Sequence, residues 1–158
     1  MSLQQDLAEL FRRDLTRLAQ EIETFPDEEL LWQTVPGVTN CAGNLALHLE
    51  GNLREYVGHM LGGVEYHRDR PNEFSAKNVS QAELVARAKS LQPMIPDTIA
   101  QLTDAQLESI FPEPHWGAPR VTRLFVLSLL AHFNYHLGQI DYLRRVLTAG
   151  KAVPFVQL

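Results

Sequence analysis

The chain of 158 residues has a single cysteine, Cys41, and no excess of positive charge. With one thiol, no disulfide can form within the chain, and this usage is typical of a reducing compartment, so we expect a cytoplasmic protein. Lysine and arginine number 14 against 19 aspartates and glutamates, which gives a formal net charge of -5. Nucleic acid and membrane surfaces are therefore poor candidates as partners, because both attract basic proteins.

Long hydrophobic runs are also absent. The longest apolar stretch, 124–131, is interrupted by Ser128 and is far shorter than the roughly 20 residues that span a bilayer. The first residues carry neither the basic nor the apolar part of a signal peptide, so we expect neither a membrane span nor a secretion signal. Hydrophobic residues make up 45% of the chain and charged residues 21%, as in globular proteins, and the length predicts a single domain over 1–158.

Apolar residues recur at helical spacing in four segments, and no segment alternates with the period of a strand. The predicted helices run from 3 to 25, from 39 or 40 to 62, from 80 to 102, and from 121 to 147. Pro93 and Pro96 predict a kink or a break in the third. The fourth is apolar almost all round, which is typical of a helix buried against several neighbours. The connection 64–79 is interpreted as an exposed loop that crosses over the body. The segment 111–119, with three prolines, is interpreted as a second, extended crossover. The pattern predicts an all-α fold, a four-helix bundle with long crossover connections.

Two histidines lie four residues apart on the fourth predicted helix. His132 and His136 therefore point from one face, a turn apart, where they could share a metal ion. His48 borders the apolar stripe of the second helix, with Asn44 and Asn52 one turn to either side. Ring nitrogens in an apolar setting need hydrogen bonds or a metal. Three histidines would leave coordination positions open, which indicates catalysis more than a structural site. Ordinary hydrogen-bonded histidines are the alternative, and spacing alone does not decide between them.

Two further side chains are candidate catalytic residues. Glu55 shares roughly the face of His48 and Asn52, so Glu55 is the candidate general base and Asn52 its neighbour, although a solvated helix face explains them equally well. Phe133 stands where the His-Glu-x-x-His motif of metalloproteases has its glutamate, which disfavours peptidase chemistry. The sequence has no nucleophile elbow, phosphate-binding loop or dinucleotide fingerprint. The remaining histidines are predicted to be solvated and apart from the site: His59, His67 and His115.

Several short motifs resemble one protein family. They are Trp32 followed by Pro36-Gly37, the segments 44–49 and 70–74, and the segment 132–140 with its His-x-x-x-His-x-Gly-Gln pattern. In this order, and over nearly the whole chain, they are similar to the DinB-like family of metal-binding four-helix bundles. The resemblance implies a divalent transition metal (Ni, Zn or Fe) held by His48, His132 and His136, and usually a homodimer. A homodimer is also expected because a short bundle need not cover the apolar stripes of its first and third helices.

The resemblance also implies a class of reaction. Relatives include transferases that join low-molecular-weight thiols to electrophiles, maleylpyruvate isomerase-type enzymes that use such a thiol, and members without an assigned activity. Because three neutral imidazoles leave the charge of an ion uncompensated, the site should attract an anionic ligand such as a thiolate. We therefore expect a thiol-dependent S-transferase acting on small electrophiles. The alternatives are a metal-dependent hydrolase that activates water and a non-catalytic bundle that binds a metal or ligand.

Overall fold

The computed structural model describes residues 2–112 and 118–154. Apart from one isolated bridge between Ile110 and Val121, the regular structure of these residues is helical. The elements in chain order are α1 (Leu3–Glu23), a 3₁₀ helix (Glu28–Trp32), α2 (Ala42–Leu53) continued by a π-helical segment (Arg54–His59), α3 (Arg70–Ser75), α4 (Gln81–Ala100), α5 (Asp104–Glu108) and α6 (Thr122–Thr148). Four long helices with long crossover connections confirm the predicted fold class. Among these described helices, none is long and apolar enough to cross a bilayer.

Two helices differ in detail from the prediction. α2 begins at Ala42, after Cys41 at the N-cap, rather than near 39 or 40. α4 continues without a break through Pro93 and Pro96, although each proline removes a backbone donor. The buried face of α4 packs along α1 on both sides of the prolines, and this packing holds the helix together. That face consists of Leu84, Ala88, Leu91, Ile95 and Ile99.

The apolar stripes of α1 and α4 are covered by one another, so these helices do not offer the free apolar surface that was expected of them. The uncovered apolar surface lies on α6 instead. Here we call it the α6 stripe, and it consists of Leu124, Leu127, Ala131, Tyr135, Gly138, Tyr142 and Val146, all of them exposed. The prediction that the last helix is buried all round was therefore wrong, because only one side of α6 faces the core.

The connection 64–79 is not simply an exposed loop. It contains α3, whose buried residue is Glu73, with only 6% of its surface exposed. α3 packs against α2 and brings this carboxylate to the second helix of the bundle. The charge-dense composition of the segment predicted solvation, whereas the structure encloses one of its charges.

Candidate metal centre

Three histidines from two helices meet between α2 and α6. His48 Nε2 lies 3.2 Å from His132 Nε2, and one nitrogen from each of the three rings lies within 4.8 Å of the others. The ring centroids of His132 and His136 are 4.6 Å apart, and those of His48 and His136 are 5.2 Å apart. His48 is buried, whereas the other two rings are partly exposed. Among the described residues, these three histidines are the group of three or more histidine, cysteine or acidic side chains that lie close enough together to hold one metal ion.

The rotation of α6 about its own axis decides which side chains reach α2, and two buried carboxylates of α1 fix it. Asp14 Oδ2 accepts a hydrogen bond from Asn134 Nδ2 at 2.7 Å. Glu21 Oε2 accepts one from Arg144 Nε at 2.6 Å, and both carboxylates are almost completely enclosed. Breaking the buried pair of Glu21 with Arg144 would leave an uncompensated charge, and moving Asn134 away would cost Asp14 a hydrogen bond, so these contacts resist rotation of the helix. They leave the histidine face of α6 directed at α2.

The ring of His48 on α2 is oriented by a carboxylate from α3. Glu73 Oε2 lies 2.8 Å from His48 Nδ1, and since a carboxylate only accepts, the proton must be on Nδ1. This tautomer leaves the lone pair of Nε2 free to face the cluster. Arg68 donates two hydrogen bonds to the same carboxylate, from Nε to Oε1 at 2.7 Å and from Nη2 to Oε2 at 2.9 Å. Burial raises the pKa of Glu73, but the bonds from His48 and Arg68 outweigh it and hold the pKa below its ordinary value.

The approach of Glu73 to α2 requires a glycine in the middle of that helix. A Cβ placed on Gly51 would lie 2.1 Å from Glu73 Oε1, so the two atoms would overlap unless the carboxylate moved. A glycine in a helix interior costs about 1 kcal/mol relative to alanine. Gly51 therefore has a specific role, because it opens the space in which Glu73 reaches His48.

The two histidines of α6 are neutral at pH 7. Burial, supported by the nearby His136, His48 and Arg68, lowers the pKa of His132 to about 4. Burial likewise lowers the pKa of His136, against a hydrogen bond from its Nδ1 to Gln139 Oε1 at 2.6 Å. Because Gln139 Oε1 accepts the hydrogen bond from His136 Nδ1, the proton of this ring is on Nδ1. The lone pair on Nε2 is therefore available to a metal ion. Neutral imidazole is the form that ligates metals.

The cluster fits a divalent transition metal. Two nitrogens bound at the usual 2.0–2.1 Å to one ion lie about 2.9–3.4 Å apart at octahedral or tetrahedral angles, which agrees with the 3.2 Å between His48 and His132. His132 Nδ1 is buried without a hydrogen-bond partner in the described part of the chain. The nitrogen of His132 that faces the other rings is Nε2, so Nε2 and not Nδ1 is the atom that would ligate an ion. All-nitrogen donors suit nickel, zinc and iron, so a site for one of these ions remains our expectation.

The other candidate residues lie near the cluster or apart from it. Asn52 is buried one turn beyond His48 on α2, and Glu55 follows in the π-helical segment, half-buried. The carboxylate in contact with His48 is Glu73, which the sequence did not single out, and the catalytic roles of Asn52 and Glu55 stay predictions. His59 and His67 are exposed and are not part of the cluster, and His115 lies outside the described residues.

The fold and the cluster together define a helical-bundle protein with a candidate metal centre of three histidines. A family model of the DinB superfamily matches residues 10–140, and the chain therefore belongs to this superfamily. The structure is also similar to the crystal structure of a DinB-like protein from Bacillus cereus ATCC 10987, with a TM-score of 0.71 and 20% identity over 96% of this chain and 95% of that one. At this identity the likeness shows the fold alone. A search of curated proteins gives no match.

Proposed function

We propose that the protein is a metal-dependent transferase that joins a low-molecular-weight thiol to a small electrophile. The observation that carries the proposal is the cluster of three imidazoles, two of which have lowered pKa values, with no carboxylate or thiolate among its described members. When bound there, a divalent ion supplies Lewis acidity, which lowers the pKa of a thiol or of a water molecule. A site of neutral donors adds no negative charge of its own, so it favours an anionic substrate group such as a thiolate.

The chain's own residues orient the donors and leave one side open. Glu73 fixes the tautomer of His48, and Gln139 fixes that of His136. His132 and His136 are only partly enclosed, so a small substrate can reach the cluster from the α6 side. We assign Asn52 a positioning role, since it lies one turn after His48 on α2 and is buried.

Thiol transfer is favoured over hydrolysis because the described residues place no free carboxylate at the cluster that could assist the attack of a metal-bound water. Glu73 is unsuited to that task, since His48 and Arg68 occupy its oxygens and its pKa is held low. Glu55 is the remaining candidate base, and it lies seven residues from His48, about 10 Å along a helix. A thiol needs less assistance, because its ordinary pKa of about 8.5 is far below that of water. When a metal lowers this pKa further, the thiol releases its proton to solvent before attack, so no such base is required at the cluster.

The test is a turnover assay with protein loaded separately with nickel, zinc or ferrous iron. Consumption of 1-chloro-2,4-dinitrobenzene should require both an added thiol, such as glutathione or cysteine, and the metal. His132→Ala should lose this activity together with the metal, while His59→Ala, which changes an exposed histidine outside the cluster, should retain both. Metal-dependent ester cleavage without thiol, lost in Glu55→Gln, would establish the hydrolase instead. Metal binding with neither activity would leave a non-catalytic bundle.

We also propose that the chain forms a homodimer through the α6 stripe. The stripe repeats at steps of three and four residues over about 33 Å of helix, the pattern of a helix that packs against another helix. Two copies related by a two-fold axis would place its leucine end against its Tyr142 end. Ala131 and Gly138, which lie along the stripe, are small enough for the two helices to approach closely. Among the described residues, no atom lies within 4 Å of the Cβ position of Gly138, so close packing within this part of the chain does not explain the glycine.

A further inference from the structure

A groove beside the histidine cluster lies between the segment 35–40, α2 and α6. Its volume is about 390 Å³, within the range of pockets that hold small ligands. Its apolar side chains are Val35, Val38, Leu45, Tyr142, Leu143 and Val146. Thr39, Asn40 and Gln139 are its polar side chains, and no charged residue of the described chain lines it. The groove is therefore an uncharged, mainly aliphatic surface with a few hydrogen-bonding groups.

The groove adjoins the cluster along two helices. Leu45 lies one turn before His48 on α2, and Gln139 lies one turn after His136 on α6. On each helix, the residue that lines the groove is therefore about 5 Å along the axis from a histidine of the cluster. Gln139 belongs to both, because the amide that lines the groove is the one that accepts the hydrogen bond from His136 Nδ1. A molecule lying in the groove would thus have one end beside the candidate metal centre.

We propose that this groove binds the uncharged alkyl or aryl part of the substrate, with the reactive end next to Gln139 and the cluster. That the bound molecule is a substrate rests on the function proposed above. Binding of an uncharged apolar molecule in the groove does not depend on that function. Burying an apolar group against the aliphatic side chains of the groove removes it from water, and Thr39, Asn40 and Gln139 remain to bind a polar atom of the same molecule. A charged group would lose its hydration and find no ion-pair partner among the described lining residues, which disfavours it strongly.

A second copy of the chain is the other occupant to consider, because Tyr142 and Val146 belong to the α6 stripe as well as to the groove. The groove reaches beyond the stripe, however, to the loop residues Val35 and Val38. Its volume of about 390 Å³ is that of a small-ligand pocket. Val38 lies on the loop and not on α6, so a change there tests the groove without altering the stripe.

The experiment measures binding of straight-chain primary alcohols, from butanol to decanol, to the metal-free protein by calorimetry. Affinity should rise about fourfold for each added methylene until the groove is filled, and then level off. Hexylammonium and hexanoate should bind at least about tenfold more weakly than hexanol. Val38→Asp should lower the hexanol affinity by a similar factor. Val64→Asp is the matched control, since Val38 and Val64 are loop valines with 41% and 42% of their surface exposed, and it should bind hexanol as the wild type does.

Two outcomes would overturn the proposal. Alcohols that bind without dependence on chain length, or equally to wild type and Val38→Asp, would show that the groove is not the binding site. A wild-type dimer that binds no alcohol and becomes monomeric in Val38→Asp would show that a second copy fills the groove. Since the protein carries no metal in this assay and no turnover is measured, the result is independent of whether thiol transfer occurs.

Discussion

Replacement of Glu73 by glutamine tests whether this carboxylate sets the affinity of the candidate metal centre. The variant keeps the size of the side chain and an oxygen that can accept from His48 Nδ1, which lies 2.8 Å away in the wild type. It removes the negative charge that makes this bond strong and that balances Arg68. The change therefore separates the charge of Glu73 from its shape.

Two effects of this change have known orders of magnitude, and the contacts of Glu73 show that both apply. Loss of the partner that orients a metal-ligating histidine lowers metal affinity by about 10- to 100-fold, or roughly 1.4 to 2.7 kcal/mol. Separately, Arg68 would be left without its ion-pair partner while its side chain is only 10% exposed. A buried charge left in this way destabilises the fold by about 3 kcal/mol. We expect both effects in Glu73→Gln, a weaker metal site and a lower free energy of unfolding of the metal-free protein.

The assay combines competitive zinc titration with urea unfolding of the metal-free protein. Glu65→Gln, which removes an exposed carboxylate from the same connection, serves as the control and should change neither quantity. The double variant Glu73→Gln/Arg68→Met also removes the unpaired cation. It should recover part of the lost stability while the zinc affinity stays low, because stability depends on the pair and affinity depends on the carboxylate.

One result would refute the reasoning. If Glu73→Gln loses stability but binds zinc as tightly as the wild type, Glu73 only neutralises Arg68 and does not act through His48. Recovery of zinc affinity in the double variant would lead to the same conclusion, since the unpaired arginine would then be the cause of the loss.

Three further predictions concern other parts of the molecule. Gly51→Ala should weaken zinc binding by about tenfold in the same titration, since the new methyl group occupies the position of the Glu73 carboxylate; unchanged affinity would contradict this role of the glycine. The pKa of His132 is lowered from 6.5 to about 4, so the unfolded chain binds the proton of this histidine more tightly than the folded chain does. The stability of the metal-free fold should therefore be complete in this respect above pH 6.5 and should fall as the pH falls from 6.5 toward 4. Urea unfolding across this range should show the decrease in the free energy of unfolding, and His132→Gln should make that decrease smaller. Light scattering should give a dimeric mass for the wild type and a monomeric mass for Leu127→Asp, which places a charge on the α6 stripe, and a monomeric wild type would exclude the dimer.

The parts of the fold that the sequence predicts are those that depend on local spacing. The periodicity of apolar residues locates the four long helices, and the capping box at the start of α1 needs only the two nearby residues Ser2 and Gln5. The spacing of His132 and His136 places both rings on one face in any helix. Such features need only the helix geometry, so no knowledge of the neighbouring elements is required.

The parts that the sequence does not predict depend on contacts between distant segments. Glu73 lies in a charge-dense connection, and nothing in that composition shows that it is enclosed against His48, 25 residues away. Gly51 carried a usable signal, because a glycine inside an otherwise apolar helix often marks a close approach by another group. In the same way, apolar residues around all sides of α6 do not reveal whether the core or a second molecule covers them.

The pairing of Glu73 with Arg68 also bears on which substrates the centre would accept. A carboxylate that ligated the ion directly would cancel half of its charge, whereas Glu73 is one ring removed and its charge is already balanced by Arg68. The three imidazoles and this ion pair together have no net charge while the rings are neutral, so a divalent ion would bring two uncompensated positive charges to the cluster. The adjoining groove offers no charged residue in its described lining and cannot compensate them either. An anionic group is thus favoured at the cluster and an uncharged group in the adjoining groove. This arrangement suits a thiolate that attacks a neutral electrophile, and it does not suit two charged reactants.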